Sequence, residues 1–238
     1  MKIFAHRGNG LGFPENTWGA LTTEQLKDLD GVETDVQLTK DNILVIHHDE
    51  KLGRIFEGNE PIRKLTFAQL QERKCLVKGF EDQKIPTLES YLNFALEHEI
   101  FIHLEIKAYD YWHFQKLAKK TVQAVEQAKM QNLVSYSCFF YPVLLKIKSI
   151  NKNYPCNWLV ERKLRKLDFP FLKHMDGLHL DIHIWKKLSN EERNTMLDIR
   201  SVRIWTVKTQ EQAQELLSSD IEALIANNPL EILAMNKG

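Results

Sequence analysis

Along this chain, short stretches in which apolar residues dominate or alternate with polar ones are separated by longer stretches with apolar residues three and four apart. The first kind predicts strands, whose side chains point to opposite faces with a period of two. They are KIFAH (2–6), GVETDVQL (31–38), ILVIHH (43–48), FIHLEIK (101–107), NLVSYSCF (132–139), NWLVE (157–161), GLHLDI (177–182), VRIWTV (202–207) and ALIAN (223–227). The second kind predicts helices: NTWGALTTEQLKDL, TLESYLNFALEHE, DYWHFQKLAKKTVQAVEQAKMQ, FYPVLLKIKSI, KLSNEERNTMLD and TQEQAQELLSS. In the last of these, Ala213, Leu216 and Leu217 carry the apolar stripe. Regular alternation of strand and helix argues for a parallel sheet. About eight strands in a chain of this length predict an α/β fold, a (β/α)₈ TIM barrel. An open, doubly wound sheet is the alternative, weakened because no Gly-rich nucleotide loop follows any strand. Residues 49–85 are polar, contain Gly53, Gly58 and Gly79, and hold one short helix from Thr66; they read as an insertion after the second strand region. Without a linker, repeat or low-complexity segment, residues 1–238 are expected to form a single domain.

Composition narrows the choice of partners. At 238 residues and 43% hydrophobic content, the chain can bury a sizeable core. Its 32 acidic and 32 basic residues cancel, so nothing favours nucleic acid or an anionic membrane, and attraction for an anion must come from a local site. Cys75, Cys138 and Cys156 show neither a C-x-x-C pair nor zinc spacing and read as reduced, buried thiols. The start, MKIFAHRG, enters a strand pattern at once, without a long apolar run. A cytoplasmic location is expected, and no amphipathic stretch favours a membrane surface.

The candidate chemistry lies in the strands. In GVETDVQL, Glu33 and Asp35 share one face; in FIHLEIK, Phe101, His103, Glu105 and Lys107 do. The outward face of a barrel packs on helices, so the three acids are expected to point inward, near the mouth at the strands' C-terminal ends. Close carboxylates repel by about 4 kcal/mol per pair at roughly 4 Å and an effective dielectric near 20. Either some are protonated or a cation sits among them. All-oxygen ligation suits a hard ion, Mg²⁺ or Ca²⁺. The competing reading pairs each acid separately with a Lys or Arg. His6 ends the first strand, and His47 and His48 point opposite ways. Two histidines beside carboxylates can share proton transfer, one taking and one giving.

Taken in order, AHRGNGLGFPENT (5–17), VETDVQLTKDNILVIHHD (32–49), IPTLESYL (85–92) and HLEIK (103–107) resemble the glycerophosphodiester phosphodiesterases. VRIWTV (202–207) and IANNP (225–229) look like that family's final two strands, so the resemblance covers nearly the whole chain. It implies a TIM barrel that hydrolyses glycerophosphodiesters, small-molecule substrates, to glycerol 3-phosphate and an alcohol with a divalent ion. By motif, His6 and His48 would be the acid–base pair, and Glu33, Asp35 and Glu105 the metal ligands. Arg7 would grip phosphate with Lys107 near it, Asn16 would stand at the site, and Trp205 would be a pocket wall. Asp49 takes either a site role or a structural one in its turn. A non-catalytic phosphodiester- or phospholipid-binding barrel, and a lysophospholipid-directed phosphodiesterase, are the alternatives. An amidohydrolase-type site would need H-x-H on the first strand, which HRG lacks.

Some positions depart from the resemblance or admit plainer readings. Lys208 stands where the family usually has Asn after W-T-V, and Asn227–Asn228 replace a pair usually beginning with Thr; both are expected at the substrate rim. His179, Asp181 and His183, spaced by two, could mimic a metal site but read as polar residues lining a barrel strand. His103 is expected either to support Glu105 or to be a core histidine. The basic run RKLRK (162–166) reads as a solvated loop.

Overall fold

A computed structural model describes residues 1–109 and 113–236. Asp110, Tyr111 and Trp112, where the sequence pattern begins its longest helix, and residues 237–238 lie outside the described residues. All nine expected strands form: β1 (Lys2–His6), β2 (Gly31–Leu38), β3 (Leu44–Ile46), β4 (Ile102–Ile106), β5 (Val134–Cys138), β6 (Cys156–Val160), β7 (Gly177–Asp181), β8 (Ser201–Val207) and β9 (Ala223–Ala226). All but β3 pair in parallel. The order β1-β9-β8-β7-β6-β5-β4-β2 closes on itself through β1–β2 into an eight-stranded TIM barrel. β3 lies outside this ring, antiparallel to β2.

The period-two pattern produces two cores. Outward residues of β2 and β4, such as Val32, Val36, Leu104 and Ile106, pack with Leu88, Tyr91 and Leu92 of the helix Leu88–Glu97 and with Ala118 and Val122 of the helix Phe114–Gln127. On the other side, Leu178, Leu180, Val202 and Ile204 pack with Trp185, Met196, Ala213 and Leu216. Leu217, counted in the last stripe, is exposed. Side-chain caps set where several helices begin: Thr87 accepts from the Ser90 N–H, and Ser189 and Thr66 form capping boxes with Glu192 and Gln69. Thr66 therefore starts the insertion's helix, Phe67–Gln71, as expected. The insertion carries its own small core of Leu52, Phe56, Ile62, Leu65 and Leu70, seated on Val45.

Three expectations change. The helix read over 16–29 is a short α-helix, Trp18–Thr22, followed by a 3₁₀ turn, Glu24–Asp28. GLHLDI does not stay extended to its end. Asp181 caps a helix, Ile182–Lys187, by accepting from the N–H groups of His183 (2.7 Å) and Ile184 (3.3 Å). His183 is thus helical, and the spaced set of His179, Asp181 and His183 does not line one strand. The short helices Phe169–Leu172 and Pro229–Asn236 have no counterpart in the sequence reading. Among the described residues, no helix is long and apolar enough to cross a membrane.

Candidate active site

Register brings the inward acids together. His6 at the end of β1 lies beside Glu33 of β2, and Asp35 lies beside Glu105 of β4. The loop after β1 then folds back over them. Arg7 (φ 58°) donates its N–H to the Glu33 carbonyl at 2.8 Å, and Asn16 (φ 55°) closes the loop by donating its N–H to the Arg7 carbonyl at 2.9 Å. Gly8 follows at φ +71°, where a Cβ would stand 2.6 Å from the Ala20 carbonyl oxygen, which is why HRG requires its glycine.

Glu33, Asp35 and Glu105 are all buried, and each offers an oxygen within 4.8 Å of the others'. The three differ in their partners. Asp35 accepts from Asn16 Nδ2 at 2.7 Å, lies 3.3 Å from Arg7 Nε, and its Oδ1 is 3.2 Å from Lys107 Nζ. Burial alone would raise its pKa, but Lys107 and Arg7 hold it well below the usual carboxylate range. Glu105 accepts from Lys107, yet burial raises it. Glu33 is pushed well up by burial and by the neighbouring Asp35 and Glu105. Lys107, between Asp35 and Glu105, is the counter-charge of this arrangement; the two carboxylates outweigh its burial and keep it protonated. Among the described residues, buried Glu33 Oε2 and Asp35 Oδ1 accept no hydrogen bond, though Asp35 Oδ1 has its ion pair with Lys107. Buried carboxylate oxygens converging at this spacing fit a hard cation, so the triad could hold a divalent ion.

The two expected histidines border the same space with different partners. His6 Nδ1 is 2.7 Å from the Asn227 side-chain oxygen, and its Nε2 is 3.8 Å from Glu33 Oε2. Burial, then the charge of Arg7, lowers its pKa to about 4. His48 Nδ1 is 2.8 Å from Asp49 Oδ1. Arg54 Nε donates to Asp49 Oδ2 at 2.7 Å, and Arg54 Nη2 donates to Glu15 at 2.7 Å, which also accepts from Arg7 Nη1 at 3.0 Å. Burial would raise Glu15, but Arg54 and Arg7 bring it down to about 2. His47 turns away into the insertion's core beside Phe56.

A cavity of 210 Å³ is lined by His6, Arg7, Glu33, His48, Glu105 and Lys107 on one side. Trp205, Phe139, Leu159 and Glu161 are among the residues of the opposite side. Every candidate from the sequence lies here or directly behind it: Asn16 and Asp35 support the floor, and Trp205 is a wall. Other residues have the places that the sequence left open. His103 is a core histidine, the second of its two readings: it packs edge-on against Phe4, ring centres 4.1 Å apart, and meets Arg203 and Ser135 in the barrel interior. Asn227 holds His6, and Asn228 donates to the Lys208 carbonyl at 3.1 Å. The sequence reading missed Glu15, Arg54, Phe139 and Glu161. Glu15 stands inside PENT, next to Asn16; Arg54 belongs to the insertion, and no local pattern marks it.

Three carboxylates and two histidines at the C-terminal mouth of a parallel barrel, with an arginine and a lysine against them, stand where TIM-barrel enzymes carry their active sites. Comparison makes the class specific. Residues 6–231 match the model of the glycerophosphoryl diester phosphodiesterase family, and the chain belongs to that family of phosphoric diester hydrolases. It is 26% identical to a glycerophosphodiester phosphodiesterase of Bacillus altitudinis over 96% of this chain and 95% of that protein. It is 23% identical to one of Caldanaerobacter subterraneus subsp. tengcongensis over 95% of this chain and 94% of that protein. Its fold is similar, with a TM-score of 0.89, to an Oleispira antarctica phosphodiesterase solved in complex with the product sn-glycerol-3-phosphate. That match has 23% identity and covers 100% of this chain and 97% of the other.

Proposed function

We propose that the protein is a divalent-metal-dependent phosphodiesterase, its whole chain one domain, that hydrolyses glycerophosphodiesters to glycerol 3-phosphate and an alcohol. The observation that carries this reading is the convergence of Glu33, Asp35 and Glu105 beside Arg7 and Lys107 in one cavity with two histidines. The fold's likeness to a phosphodiesterase that binds sn-glycerol-3-phosphate supports the product. The triad would hold Mg²⁺ or Ca²⁺, whose chemistry at such a site is Lewis-acid polarisation of a phosphoryl oxygen.

The side chains then divide the remaining work. Arg7 and Lys107 bind the phosphate, Arg7 as a planar donor fork and Lys107 as a point charge. Asn16 keeps Asp35 oriented through its 2.7 Å hydrogen bond, while its own oxygen accepts from Thr34 at 2.7 Å. The Asn227 oxygen can only accept, so His6 carries its proton on Nδ1 and presents a lone pair at Nε2. With its pKa lowered to about 4, His6 is neutral near neutral pH and serves as the base that takes the proton of the attacking hydroxyl. His48 leans on the Asp49 carboxylate, which compensates an imidazolium, and serves as the acid that protonates the leaving alkoxide from Nε2. Each transfer is worth typically about 10²–10⁴-fold.

The test is release of glycerol 3-phosphate from a panel of glycerophosphodiesters with Mg²⁺, with Ca²⁺ and with a chelator. Turnover that the chelator abolishes is expected. No release from any diester with either ion would favour a non-catalytic barrel.

A further inference from the structure

The two sides of the cavity differ in chemistry. The catalytic side comes from β1, β2 and β4, with His48 just beyond β3. The other comes largely from β5, β6 and β8. Phe139 continues the inward face of β5 one step past Ser137, and Glu161 continues that of β6 one step past Leu159. Trp205 of β8 meets Phe139 edge to face, their ring centres 5.5 Å apart. The indole Nε1 donates to the His179 carbonyl at 3.1 Å, which fixes that ring. Lys107 Nζ stands 5.9 Å from the centre of the Phe139 ring, so the aromatic wall begins where the phosphate-binding group ends.

Glu161 does not suit the cavity of an anion. It is exposed and makes no hydrogen bond or ion pair among the described residues. The two cations that follow it in sequence are held elsewhere. Arg162 grips Asp168 through two hydrogen bonds of 2.7 and 2.8 Å, and Lys163 pairs with Glu192 at 2.7 Å. The run RKLRK is therefore partly ion-paired rather than simply solvated. The nearby acid Asp181 is engaged in capping its helix. An unneutralised carboxylate at the mouth of a phosphodiester site disfavours anionic substrates, and least the one whose head group carries a positive charge beside its phosphate. Aromatic rings joined by a carboxylate are what holds an ammonium group.

We propose that Phe139, Trp205 and Glu161 form a subsite for a cationic head group, and that Glu161 makes the enzyme prefer glycerophosphodiesters of amino alcohols over those with uncharged head groups. This rests on the phosphodiesterase reading: phosphate lies between Arg7 and Lys107, and the ammonium lies against the aromatic wall. An exposed ion pair of this kind changes an affinity ratio by up to about fivefold.

Two measurements test it. Wild-type turnover of glycerophosphocholine and of glycerophosphoglycerol decides the phosphodiesterase reading. Calorimetric affinities for the same two compounds in the slow His48→Ala background, with and without Glu161→Gln or Glu161→Lys, decide the subsite. The choline compound should bind more tightly than the glycerol compound. Glu161→Gln should reduce that preference about fivefold, and Glu161→Lys should invert it. A preference that survives both substitutions, or is absent to begin with, overturns the subsite whether or not the wild type turns over.

Discussion

Asn16 and Asp35 hold each other in the floor of the cavity: the amide of Asn16 donates to Asp35 Oδ2 at 2.7 Å, and both side chains are buried. Asn16 does so from a left-handed backbone, φ 55°, that Asn tolerates better than most residues. Asn16→Ala removes a hydrogen bond to a buried charge, worth about 1.5–3 kcal/mol, and places Ala in a region costing it roughly 1–2 kcal/mol. Urea unfolding in chelator should show a loss of about 3 kcal/mol or more. Asn16→Gly relieves the backbone and should recover part of it; equal losses for the two would mean the backbone contributes nothing.

Glu33 predicts opposite effects with and without metal. Without metal its pKa is pushed up by burial and then by Asp35 and Glu105. The folded state therefore holds the proton more tightly than the unfolded chain does, and stability falls as pH rises above about 4.3. Glu33→Gln removes that penalty and should raise the melting temperature of the metal-free protein near neutral pH. Divalent metal should stabilise the wild type by mass action, by about 2.7 kcal/mol at a hundredfold excess over Kd, and should stabilise the variant much less. Equal metal-induced shifts in the two proteins would remove Glu33 from the ligand set.

The parts of this molecule legible in its sequence are those where one side-chain period acts alone. Val32, Val36, Leu104 and Ile106 had to face helices, so Glu33, Asp35 and Glu105 had to face inward. The alternation of strands with helices predicted the barrel, and the period of two within each strand then predicted the gathering of the acids. It could not reveal that Asp181 stops its strand, because the cap is made by a side chain that an extended reading places just as well. Nor could it show that Asn227 serves His6, a contact between the first strand and the residue just past the last, 221 positions apart. Arg54 reaches Asp49 and Glu15 because the insertion folds on its own core, and that geometry has no local signature. The ranking of the acids was also hidden, since Asp35 differs from Glu33 through partners that tertiary folding brings closer to it: Arg7, Lys107 and the Asn16 amide.

The two histidines should separate by leaving group. His6→Ala and His48→Ala are each expected to lower kcat on glycerophosphodiesters by about 10²–10⁴-fold without unfolding the protein, checked by circular dichroism. A nitrophenyl ester leaves without being protonated. His48→Ala should therefore recover much of its rate on such a substrate, whereas His6→Ala should not. Recovery by His6→Ala instead would exchange the two roles.

Beneath the catalytic layer, Arg203 fixes the charge state of two further histidines. Its Nη1 lies 3.0 Å from His103 Nδ1 and 3.2 Å from His179 Nε2, while Glu222 accepts from its Nε and Nη2 at 3.0 and 2.9 Å. A guanidinium only donates, so both ring nitrogens must be acceptors and both rings neutral. Burial, and then the charge of Arg203, keeps both pKa values well below the ordinary histidine value. Above about pH 6.5 neither state binds these protons, and the full stability is present. As pH falls below that value, the unfolded chain takes up protons that the folded barrel refuses. Stability should then drop by about 1.4 kcal/mol per pH unit for each ring. Urea midpoints between pH 8 and pH 5 should show this fall in the wild type. His179→Leu, although less stable throughout because Arg203 loses a partner, should fall less steeply by the share of one proton. An unchanged slope would show that His179 does titrate inside the barrel, and that the guanidinium does not hold it neutral.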